Sequence, residues 1–159
     1  MRYFGKLAKD IVSGFTGICI GKCLHLSGCT NYLLAPKVKE NGKLRSGLYF
    51  SAERIEIIGE GIKVDEAKSG ENSDTTELGR LGRDKITKFE GYIVAKVLNL
   101  YGSNSLALEP KAKDGECKGV KVFDEGRIQL IEGESVSVEE VQSTKPGGID
   151  IPVPDNRAF

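Results

Sequence analysis

Residues 10–17 read DIVSGFTG, and residues 84–91 read DKITKFEG. The match extends well beyond this phrase. At an offset of 74, Gly5 meets Gly79, Leu7 meets Leu81, Lys22 meets Lys96, Leu24 meets Leu98 and Leu26 meets Leu100, and Pro36-Lys37 meets Pro110-Lys111. One residue is lost between the turns NGK and DGE. At an offset of 73, Phe50, Arg54, Ile55 and Ile58 then meet Phe123, Arg127, Ile128 and Ile131. About a third of some 54 aligned positions are identical. The period exceeds the roughly 20–50 residues of solenoid repeats. A chain of 159 residues therefore carries one small unit twice.

Each unit reads as strands. The stretches 18–26 and 92–100 are dominated by β-formers with no helical stripe, and both run into Gly- and Asn-containing turns of the kind that close hairpins. A second strand starts at Tyr32 or Leu106 and stops at Pro36 or Pro110, because proline has no amide proton to pair. A charged turn leads to Leu48–Phe50 or Val120–Phe123, and a polar corner leads to Arg54–Ile58 or Arg127–Ile131. A sheet this small must curl to protect its edges, so the expected fold is all-β, two tandem SH3-like antiparallel barrels. Phe15/Phe89 and Phe50/Phe123 are the expected core anchors. The expected boundaries are residues 1–58 and 78–131 for the barrels, 59–77 for a flexible polar linker, and 132–159 for a largely extended or disordered tail. Three Pro and two Gly fall among the last 15 residues.

Chemistry is sparse at matched positions. Asp10 and Asp84 are read as acceptors for turn amides rather than catalytic carboxylates. Cys19, Cys23, His25 and Cys29 are all zinc-type donors, but they lack paired C-x-x-C knuckles and the second unit replaces them with Ile93, Val97, Asn99 and Ser103. The cysteines are read as small buried thiols, with Cys19 and Cys23 on one core-facing row. No P-loop or nucleophile motif is present, and His25 is the only histidine. The chain is expected to be non-catalytic and to need no cofactor or metal.

Basic residues do recur, among them Lys6/Arg80, Lys22/Lys96, Lys37/Lys111 and Arg54/Arg127. With Tyr92 and Tyr101 as aromatic platforms, Lys22, Lys96, Arg54 and Arg127 form the candidate ligand set, a cationic and aromatic surface suited to phosphate and base. Lys22 and Lys96 interrupt apolar alternation in mid-strand and are expected to point to solvent, a cleft or a partner subunit. The 23 basic and 23 acidic residues cancel, which disfavours nucleic acid as partner. No apolar run approaches the roughly 20 residues of a membrane span, and the N-terminal stretch lacks a signal-peptide core, so a cytoplasmic protein is expected.

The pattern D-x-(I/V)-(S/T)-x-F-x-G, a strand, (L/Y)-(S/Y)-G-(C/S), P-K, an N/D-G turn and F-(S/D)-x-x-R-I resembles a group of small uncharacterised proteins encoded by phages and prophages. These carry one such unit followed by a Pro/Gly tail. The resemblance covers both units and the style of the tail. The first unit is the nearer match; the second departs at Ser103, where Cys is typical. The resemblance implies a phage-type origin and a compact β fold, and brings no active site. Two functions follow as expectations. One is a non-catalytic, homo-oligomeric accessory protein that sequesters a small anionic, nucleotide-like ligand, countering a host antiviral signal. The alternative is a tandem SH3-like adaptor that binds protein, with nucleic acid the less favoured partner, or a virion-associated protein.

Overall fold

The computed structural model describes residues 2–65, 68–71 and 75–141. The first unit contributes β1 (Leu7–Asp10), β2 (Thr16–His25), β3 (Thr30–Ala35), β4 (Leu48–Ser51) and β5 (Ile55–Gly59), with a 3-10 turn at Ala52–Arg54. The second repeats the order as β6 (Arg80–Asp84), β7 (Glu90–Asn99), β8 (Ser105–Glu109), β9 (Lys121–Asp124), a 3-10 turn at Glu125–Arg127 and β10 (Ile128–Ser135). β3 and β8 end just before Pro36 and Pro110, as the missing amide proton requires. A single helical turn, α1 (Val138–Val141), follows. Of the tail expected to be extended or disordered from residue 132, residues 132–135 complete β10 and Val138–Val141 form α1, while the stretch from residue 142 onward lies outside the described residues.

All ten strands join one antiparallel sheet that is not closed. The all-β antiparallel class expected from the sequence holds, whereas the arrangement differs from two barrels strung on a linker. The reason lies in strand length. β2 spans ten residues, but β1 covers only Thr16 to Ile18, so the same edge from Gly21 to His25 is left without a partner inside its own unit. β7 of the other unit fills it, from Gly21 opposite Asn99 to His25 opposite Ala95.

This join has internal two-fold character. Gly21 is equivalent to Ala95, and His25 to Asn99, so exchanging the units maps the pairing onto itself. The flanking bonds obey the same exchange: Leu26 N donates to Val94 O at 2.8 Å, and Leu100 N donates to Ile20 O at 3.0 Å. The core follows the join. Leu98 and Leu100 of the second unit pack with Phe4, Ala8, Cys19, Tyr32 and Leu34 of the first. A second cluster gathers Ile93, Leu106 and Leu108. The expected anchors pack against these clusters, with Phe15 and Phe50 at 5.3 Å between ring centroids and Phe89 and Phe123 at 5.5 Å.

A register shift in each long strand decides which side chains face inward. It falls between Cys19 and Gly21 in β2, and between Ile93 and Ala95 in β7. A bulge of this kind inserts a residue and exchanges the two faces beyond it. Cys19 and Ile93 face the core before the shift; Lys22, Leu24, Lys96 and Leu98 take that face after it. Cys23 therefore moves to the outer face, which corrects the expectation that it shares a core row with Cys19.

Ile62 and Glu71, from the stretch expected to be a flexible linker, contact the body of the fold. Ile62 N donates to Gly5 O at 2.7 Å, and the buried Glu71 carboxylate accepts from Tyr3 N and Phe4 N, both at 2.9 Å. The second unit repeats the first contact, with Val136 N donating to Gly79 O at 2.8 Å. Gly5 and Gly79 have φ of +82° and +87°, and a Cβ on Gly5 would lie 2.8 Å from Ile62 O, so glycine is required there.

Candidate functional site

Asp10 ends β1 and is fully buried. Its carboxylate accepts from Ser13 N at 2.8 Å and Ser13 Oγ at 2.5 Å inside the turn, and from Arg54 Nε and Nη2, both at 2.7 Å. Asp84 repeats the arrangement with Thr87 N at 2.9 Å and Arg127 Nε and Nη2 at 2.9 and 2.7 Å. The paired bonds from each arginine, followed by those from the turn residue, hold both carboxyls well below the ordinary aspartate range against the opposing effect of burial. Each guanidinium also lies over a ring, Arg54 over Phe50 at 5.6 Å and Arg127 over Phe123 at 5.4 Å. Arg54 and Arg127 thus close the turn between the first two strands of each unit. The shared sequence carried this signal, since the acid and the arginine are kept together at opposite ends of both units.

Lys22 and Lys96 differ sharply in their surroundings. Lys96 is 1% exposed, with its ammonium 2.9 Å from Glu77 Oε1 and 3.0 Å from Glu125 Oε1. Burial alone would push its pKa down, but the bonds to the two carboxylates outweigh burial and raise it. The bulge at Ile93/Ala95 explains why a lysine expected to reach solvent, a cleft or a partner is enclosed: it falls on the core face. Lys22 occupies the same face of β2, is half-buried, and lies 5.7 Å from the ring centroid of Tyr32, on which Tyr3 stacks at 4.5 Å. Among the described residues no carboxylate lies within ion-pair distance of Lys22.

The other sequence candidates are scattered. Tyr92 donates to Glu134 Oε2 at 2.6 Å and carries Lys111 over its ring at 5.8 Å, while Lys111 also pairs with Glu134. These groups satisfy one another beside a hollow of about 340 Å³. Tyr101 is 78% exposed. Of the four zinc-type donors, Cys19 is buried with its thiol pushed up to about 12 by desolvation, and Cys29 is exposed at the turn. Cys23 Sγ and His25 Nε2 approach to 3.5 Å.

A cleft of about 630 Å³ lies where residues 2–6 meet residues 60–64, Ser69 and Glu71. Phe4, Ile62 and Val64 give it apolar walls, and Arg2, Lys6 and Lys63 give it cationic groups. Glu71 lines it too, with its carboxylate held by the backbone amides of Tyr3 and Phe4. Lys6 pairs with the exposed Glu60 at 2.8 Å, which water screens heavily. None of the six sequence candidates lines this cleft. Lys6 stood out as a recurring cation, but Arg2 and Lys63 carried no such signal because the cleft depends on how the connecting segment docks.

No protein-family model, no curated protein and no solved structure matches the chain. Among the described residues, no helix is long and apolar enough to cross a membrane.

Proposed function

We propose that this chain is a non-catalytic binding protein for a small anionic, nucleotide-like ligand, held in the cleft between residues 2–6 and residues 60–64, Ser69 and Glu71. The observation that carries this reading is the pairing of apolar walls with three cationic side chains in about 630 Å³. That volume lies in the range typical of small-molecule sites, where apolar surface gives affinity and a few polar groups fix orientation. A base would lie against Phe4, Ile62 and Val64, and a phosphate against Arg2, Lys6 and Lys63. The wider proposal is a phage-type accessory protein, working as a homo-oligomer in the host cytoplasm, that withdraws such a ligand from a signalling role. Each half is read as an SH3-like unit. Four strands, a 3-10 turn and a fifth strand returning to the first support that reading.

Titration calorimetry of the full chain against a panel of mono-, di- and cyclic nucleotides tests the proposal. The wild type is expected to bind one member with micromolar or tighter affinity, and Lys63→Glu with Lys6→Glu to lose at least tenfold. Absence of binding across the panel, or unchanged affinity in the charge-reversed variant, overturns it.

The adaptor reading draws on a different observation. Tyr49 and Val122, equivalent in the two units, are 47% and 60% exposed. With Cys23 and Val97 they share the outer face of the sheet, and exposed apolar surface of this kind suits a protein partner.

A further inference from the structure

The duplication lets one half of the molecule serve as a control for the other. Lys22 and Lys96 stand at equivalent positions, on the core face beyond equivalent bulges. In the second half the ammonium is answered by Glu77 and Glu125. In the first half those positions are Tyr3 and Ala52, and Leu106 is replaced by Tyr32. The lysine is kept while both counter-charges are gone. A cation drawn partly out of water needs compensation, and a tyrosine ring supplies only part of what a carboxylate gives.

We infer that Lys22 is a second binding station, separate from the cleft, for an anion carried on a planar arene, such as an aryl carboxylate or aryl phosphate. The anion takes the place that Glu77 and Glu125 fill beside Lys96. Ala52, which stands where Glu125 stands in the other unit, packs against the first core cluster and brings no charge to Lys22. Tyr3, stacked on Tyr32 at 4.5 Å with 27° between the ring planes, presents a flat neighbour for the arene. Arg2 and Phe4, the residues flanking Tyr3, line the cleft. Tyr3 itself packs on Tyr32 and does not line the cleft. This inference stands whether or not the cleft binds a nucleotide.

Amide chemical-shift titration of the full chain tests it, with benzoate and phenyl phosphate as arene-bearing probes and acetate and inorganic phosphate as plain anions. The arene probes are expected to move the Lys22, Tyr32 and Ala52 amides saturably, at least tenfold more tightly than the plain anions. Lys22→Met is expected to abolish the response. Tyr3→Glu with Ala52→Glu rebuilds the carboxylate pair of the second half and is expected to abolish it as well, by filling the site from within. Lys22→Met stands alone as the test if the double variant does not fold. No saturable shift at Lys22, equal affinity for arene and plain anions, or unchanged binding in Lys22→Met overturns the inference.

Discussion

Cys23 and Val97, equivalent residues of the two units, face each other across the pairing of β2 and β7. Opposed equivalents place the internal two-fold axis between them, in the manner of an isologous dimer interface contained in one chain. The two units consequently share backbone bonds and a core.

A core shared in this way couples the stability of the halves. Leu98 is fully buried and belongs to β7, yet it packs in the core of the first unit. Leu98→Ala is expected to lower stability by about 2–4 kcal/mol. Hydrogen exchange should quicken at Cys19 and Leu34 as well as in β7, with a single unfolding transition in urea. Exchange changes confined to the second unit would show the coupling to be absent.

The two turn locks set the acid limit of the fold. Asp10 and Asp84 have depressed folded-state pKa values, so their contribution is present above the ordinary aspartate value of 3.8 and is lost as pH falls below it. Thermal midpoints measured between pH 6 and pH 2 should drop most steeply below about pH 4. Asp10→Asn should start lower and show a shallower acid dependence, since one of the two titrating groups is removed.

Lys96 acts at the opposite end of the pH scale. Its folded-state pKa is raised, so its contribution is complete below the ordinary lysine value of 10.5 and is lost as pH rises through the folded value. Lys96→Met leaves Glu77 and Glu125 without their cation and is expected to destabilise by about 3 kcal/mol. Adding Glu77→Leu and Glu125→Leu should recover most of that loss, because uncompensated carboxylates rather than a missing attraction cause it. Chemical denaturation of the three proteins checks the order.

Glycine substitutions separate backbone strain from close approach. Gly14 has φ of +79° with nothing near its absent Cβ, so Gly14→Ala is expected to destabilise by about 1 kcal/mol through strain alone. Gly5→Ala adds a collision with Ile62 O and Val64 and should destabilise more, releasing the segment that walls the cleft. Equal effects at the two positions would indicate that this segment is loosely held.

Much of the fold was legible because local chemistry dictates it. Alternation marked the strands, Pro36 and Pro110 marked their ends, and the repeated Asp, Phe and Gly marked the turns. The join between units was not legible, since strand sequences do not reveal which open edge meets which. The bulges at Cys19/Gly21 and Ile93/Ala95 were hidden for a related reason. One inserted residue exchanges the faces, and this misdirected the expectations for Cys23 and Lys96. The candidate site was the least legible part. Arg54 and Arg127 were singled out for their charge, while their partners Asp10 and Asp84 were read only as turn acceptors. The cleft, in turn, takes Ile62, Lys63 and Val64 from a segment whose composition suggested only a polar linker.

Native mass spectrometry of the full chain, purified without denaturation, tests the proposed ligand binding most directly. The expected result is a mass above that of the bare chain or its oligomer, with the excess released on denaturation as a small anion and absent from the Lys6→Glu, Lys63→Glu protein. A bare mass from cells, remaining bare after incubation with millimolar nucleotides, would contradict it.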